Sequence, residues 1–144
     1  MTAPKAPSAA HPSVHRGRTG LFALLYGLVA APIAWVVSQI ANSTLAQEAC
    51  FPGAAPLTTP AFYGVHAIQA AVLLAALAVS GSAVLVAFGA WRSTREEQSG
   101  DHHALLSIGE GRSRFMAFAG VLTSLGFLLA SLFSVPALLF VASC

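Results

Sequence analysis

Residues 61–91, AFYGVHAIQAAVLLAALAVSGSAVLVAFGAW, contain no Asp, Glu, Lys or Arg, and His66 is the only titratable imidazole in the run. A bilayer core of roughly 30 Å is crossed by about 20 mostly apolar helical residues, so this stretch predicts a membrane-spanning helix with length to spare. Two further stretches read the same way. One runs from about Leu21 to Ala41 and the other begins after Arg114 and continues toward Cys144. Three charge-free runs leave no polar face for water, which excludes three helices buried in a soluble domain. The composition agrees: 56% of the 144 residues are hydrophobic, 8% are charged and the mean hydropathy is +0.74. Soluble domains carry roughly a quarter charged residues. The expected fold class is therefore an all-α membrane protein with three transmembrane helices at about 21–41, 61–91 and 115–141. It divides into a disordered tail over 1–19 and a membrane domain over 20–144.

Arg16 and Arg18 precede the first apolar run, as they would in a signal peptide. That run is longer than the 7–15 apolar residues typical of a signal, so an uncleaved anchor is expected. Gln47-Glu48-Ala49-Cys50 resembles a lipoprotein cleavage box only superficially, because Gln47 stands where a large apolar residue is required.

The basic residues fix the expected orientation. Lys5, Arg16 and Arg18 lie in the tail, and Arg92, Arg95, Arg112 and Arg114 lie between the second and third spans. The segment Asn42–Pro60 has no Lys or Arg, and no basic residue follows Arg114. By the positive-inside rule the tail and second loop are cytoplasmic, and the first loop and C-terminus are extracytoplasmic. A net charge of +2 gives no reason to expect a nucleic-acid partner.

Cys50 and Cys144 then fall on the oxidising face, where disulfides form and persist. They are either a bridge from the first loop to the end of the third helix or two unrelated thiols; the shared compartment favours the bridge. The outer loop, with Pro52, Gly53, Pro56 and Pro60, reads as extended and turn-rich. In the inner loop Ala104-Leu105-Leu106-Ser107-Ile108 is a short apolar patch, read as a solvated loop dipping toward the headgroups, with an interfacial turn or a contact for a partner subunit as the alternatives. His102-His103 beside Asp101, like His11 and His15 in the tail, reads as solvated rather than metal-binding.

Polar groups in hydrocarbon need partners. Trp35, Gln39 and Asn42 share a stripe of the first helix; Tyr63, His66 and Gln69 share one of the second. Both lie near the outer ends of their helices, at the depth of Ser131 and Ser134, so an intramembrane polar cluster of Gln39, His66 and Gln69 is expected. His66 is read as an interfacial histidine satisfied by Gln39, Tyr63 or water, with a proton-relay or ligand role as the alternative. A lone histidine cannot supply both axial ligands of a b-type haem. With no intramembrane Asp, Glu, Lys or Arg, no nucleophile–base pair and no phosphate-binding glycine loop, the expected protein is not an enzyme, and neither cofactor nor metal is expected.

Small residues recur at four-residue spacing: Gly27 and Ala31; Ala67, Ala71 and Ala75; Gly120 and Ser124; and Gly126, Ala130 and Ser134. Such rows let helices approach closely. There are more of them than one small bundle uses, which points to docking against other integral membrane subunits as well as lipid. Pro32 and Pro136 are expected to bend their helices.

Gly27-Leu28-Val29-Ala30-Ala31-Pro32-Ile33-Ala34-Trp35, followed by Gln39 and Cys50, resembles the first span of small three-span bacterial inner-membrane proteins of unknown function. Arg114-Phe115-Met116-Ala117-Phe118-Ala119-Gly120, with Ser124, Phe127, Pro136 and Cys144, is similar to their third span. These proteins are encoded near cytochrome c oxidase and other respiratory genes. The resemblance covers residues 20–144. It implies a bacterial inner-membrane location and an accessory or assembly role near a haem-copper oxidase, with no catalytic residue to carry over. The alternatives from other classes are a small self-associating transporter or channel, and a membrane thiol-redox protein.

Overall fold

The computed structural model describes residues 20–96, 110–140 and 144. Among them there are three α-helices, α1 (Leu21–Cys50), α2 (Val65–Glu96) and α3 (Glu110–Phe140), and no strand. Their lengths of 30, 32 and 31 residues correspond to about 45 Å each at 1.5 Å per residue, more than the roughly 30 Å of a hydrocarbon core. The apolar spans are Leu21–Cys50, Val65–Ser93 and Arg114–Phe140. The chain is a multi-pass, all-helical membrane protein.

Every helix touches both others. The cross-helix contacts give the directions: Gly27 meets Ala87, while Asn42 meets Gln69, so α1 and α2 are antiparallel. Gly27 meets Ser124, and Gln39 meets Ser134, so α1 and α3 are parallel.

The side-chain distribution is inverted relative to a soluble domain. Phe22, Leu85, Phe115, Phe133 and Phe140 are among many large apolar residues that lie exposed, while the largest fully buried side chains are Ser38, Ser80, Ser124 and Ser131. In lipid no hydrophobic force drives helices together, and close packing of small residues does that work. The buried seam of α2 is Leu73, Ala76, Ser80, Ala83, Ala87 and Ala90, alternating by three and four residues. Leu24, Gly27, Ala31 and Ser38 continue the seam on α1, and Ala117, Gly120, Ser124 and Ser131 on α3. An average step of 3.5 residues keeps one line of each helix turned to its neighbours.

Four helix limits differ from the sequence reading: α2 runs on past Trp91 to Glu96 and α3 begins at Glu110 rather than 115, both helices carrying charged residues beyond the apolar span, and the other two lie around the first loop. Helix α1 runs on through Asn42–Cys50, because Leu45, Ala46 and Ala49 favour a helix and no Gly or Pro intervenes before Pro52. Pro52 then ends it by pushing Phe51 out of the helical region; Phe51 has φ −129° and ψ 53°. Helix α2 starts at Val65 rather than Ala61, after Gly64 with φ +87°, a conformation that suits glycine. Pro32 and Pro136 both sit inside helices that continue on either side of them.

Candidate functional site

The three helices converge at Gly27. A Cβ placed there would lie 2.9 Å from the Ala87 Cβ, and one placed on Gly120 would lie 3.4 Å from the Gly27 carbonyl carbon and oxygen. At Gly27 only a hydrogen side chain allows that approach, whereas at Gly120 an added carbon would be in ordinary contact with its neighbours. The Ser124 hydroxyl, fully buried, donates to the Gly27 carbonyl across the same junction. Of the expected packing residues, Gly27, Ala31, Gly120 and Ser124 all lie in this buried seam.

Two other hydroxyls of the seam, on Ser38 and Ser131, are satisfied by their own helices, as serines in an apolar medium commonly are. Ser38 donates to Trp35 O at 2.8 Å and Ser131 to Phe127 O at 2.9 Å. Ser80 differs: its Oγ is buried with no hydrogen-bond partner among the described residues. Toward the other face, Ser82 donates to Val79 O at 2.7 Å, so its single proton is engaged and the Tyr26 hydroxyl, 2.7 Å away, is the donor to Ser82 Oγ.

The polar residues near the α1–α2 connection form bridges between helices. Gln39 Nε2 donates to Ser134 Oγ at 3.2 Å, and Ser134 donates onward to Ala130 O at 3.2 Å, joining α1 to α3. Gln69 Nε2 donates to the Asn42 carbonyl at 3.3 Å, joining α2 to α1. Trp35, one turn from Gln39, packs its ring against Phe127 with centroids 5.5 Å apart. Gln39 and Gln69 are half-buried, whereas His66 is exposed in the first turn of α2 and Tyr63 is fully exposed ahead of it. The two glutamines thus serve different helix pairs, and His66 sits at the rim of this region.

Cys50 and Cys144 form a disulfide with Cα atoms 5.4 Å apart, across a sequence separation of 94. Cys50 packs with Ala49 and Val65 in a small buried cluster. The loop over 51–64 turns back over the same end of α1: Leu57 N–H donates to Cys50 O at 2.8 Å and Ala61 N–H to Ala49 O at 2.9 Å. Those carbonyls have no partner within their own helix. The turn-rich loop is therefore an ordered cap on the end of α1; of the two bridged cysteines Cys50 is buried and Cys144 is exposed.

Ala67, Ala71 and Ala75 of the expected small-residue row are exposed. They lie on the side of α2 opposite its seam: Ala67 and Ala76, Ala71 and Ser80, and Ala78 and Ala87 are each separated by nine residues, which is two and a half helical turns. Spacing does not single out the row that packs inside, since Ala71, Ala75 and Ala78 on the exposed side alternate by four and three just as Ala76, Ser80 and Ala83 do in the seam. Helix α2 has small residues on both sides, and hydropathy does not tell them apart.

Among the described residues no three His, Cys, Asp or Glu side chains converge as metal ligands would. The tail over 1–19, His102-His103 and the Ala104–Ile108 patch lie outside the described residues. No family model, curated protein or solved structure matches the chain.

Proposed function

We propose that this chain is a non-catalytic accessory subunit or assembly factor of a bacterial inner-membrane complex, with a respiratory haem-copper oxidase as the complex to which the resemblance points. One observation carries the reading. Helix α2 has two small-residue faces; the seam is used within the bundle, and Ala67, Ala71, Ala75 and Ala78 present the other outward. An exposed row of this kind admits the backbone of another transmembrane helix at close range. The flanking Ile68, Leu74 and Val79 are exposed too, and would pack on either side of such a helix. The proposal keeps the basic end of the bundle in the cytoplasm and the disulfide in the periplasm.

Purification in mild detergent tests it. The chain is expected to co-migrate with other integral membrane proteins. A photo-crosslinking residue at Ala71 is expected to capture a different polypeptide, while one at Leu132 on the exposed side of α3 captures lipid. Purification as an isolated chain, with no protein adduct from Ala71, would sink the reading.

A further inference from the structure

At the end of the bundle away from the disulfide, where α2 finishes and α3 begins, an open groove of about 400 Å³ is lined by Trp91, Arg114, Phe115 and Phe118. We propose that this groove holds one anionic glycerophospholipid, its phosphate on the Arg114 guanidinium and its acyl chains along α3.

Depth is the first argument. Trp91 lies two residues inside the end of the span Val65–Ser93, and Arg114 is the first residue of the span Arg114–Phe140. The groove therefore straddles the boundary between hydrocarbon and headgroups, where tryptophan is favoured. Charge is the second. Among the described residues the lining offers one guanidinium and no carboxylate, and a planar, permanently cationic fork pairs well with phosphate oxygens. The third is shape. The Trp91 ring is braced by Phe88, with centroids 5.6 Å apart, and packs against the Leu24–Ala90–Ala117 cluster, which makes a firm wall. From Arg114 an exposed apolar ridge descends α3 through Phe115, Phe118, Leu122 and Leu125, at alternating spacings of three and four residues. That ridge gives a chain hanging from the phosphate a continuous track into the hydrocarbon.

The two tryptophans, Trp35 and Trp91, permit a direct test. In the full chain carrying Trp35→Phe, Trp91 is the single reporter. The protein is reconstituted in phosphatidylcholine vesicles containing increasing fractions of either brominated phosphatidylglycerol or brominated phosphatidylcholine. Quenching of Trp91 is expected to reach half its maximum at an about fivefold lower fraction of the anionic lipid. Arg114→Gln is expected to bring the two curves together, and Arg114→Lys to keep most of the separation. Coincident curves in the parent chain would overturn the proposal. So would a preference that survives Arg114→Gln, or one abolished by Arg92→Gln and not by Arg114→Gln, since either would mean general attraction to the basic end.

Discussion

The Ala87 methyl occupies the space that a side chain on Gly27 would need, 2.9 Å from where the added carbon would sit. Gly27→Ala is therefore expected to destabilise the bundle, by about 1–3 kcal/mol for overpacking of a rigid contact. That loss exceeds the helix-propensity gain of at most about 1 kcal/mol. Ala87→Gly in the same chain is expected to recover much of the loss. Thermal unfolding in detergent, followed by circular dichroism, checks both; an unchanged midpoint for Gly27→Ala would contradict the packing.

Two buried serines should respond differently to loss of the hydroxyl. Ser124→Ala removes the donor to the Gly27 carbonyl and is expected to cost about 0.6 kcal/mol, the usual size of an interhelical hydrogen bond in a membrane protein. Ser80→Ala removes a hydroxyl with no partner among the described residues and is expected to be neutral or to stabilise by about 1 kcal/mol. The same unfolding measurement compares them, and equal losses would contradict the assignment of the hydrogen bonds.

The glutamine bridges are expected to be structural and modest. Gln39→Leu should cost less than about 1 kcal/mol, because Ser134 keeps its bond to Ala130 O. A double-mutant cycle with Ser134→Ala isolates the pair and is expected to give a coupling of about 0.6 kcal/mol. A coupling indistinguishable from zero would remove the Gln39–Ser134 bridge.

Cys50→Ser is expected to lower the unfolding midpoint and to abolish the mobility difference between reduced and oxidised chain on a denaturing gel. With a sequence separation of 94, chain entropy puts the loss at up to about 4–5 kcal/mol. Identical mobilities for the parent chain with and without reductant would show that the bridge does not form.

The three helices were legible from the sequence because a membrane span excludes charge over a long stretch, and residues such as Arg92 and Arg114 mark the limits sharply. The disulfide was legible by a less direct route: the charge distribution put Cys50 and Cys144 at one end of the bundle. Helix ends were harder to read. Asn42, Gln47 and Glu48 lower the hydropathy of a segment that remains helical, since backbone propensity and the position of Pro52 decide where α1 stops. The interior was hardest to read. In water, polar residues mark the outside of a helix; in lipid both sides of α2 are apolar, so Ala71 and Ala76 look alike although one is exposed and the other buried. The pairing of Gln39 with Ser134, and of Gln69 with Asn42, follows from how the three helices are arranged, which no single helix encodes.

The sulfur bond between Cys50 and Cys144 makes the path through α2 and α3 a closed covalent circuit. One backbone cut between α2 and α3 would leave two fragments that stay tethered, and α3 cannot drift out of the bundle without pulling the end of α1 along. A neighbouring helix resting on the outer side of α2 would thus sit on a platform that proteolysis at a single point does not dismantle. Releasing the circuit takes an electron donor.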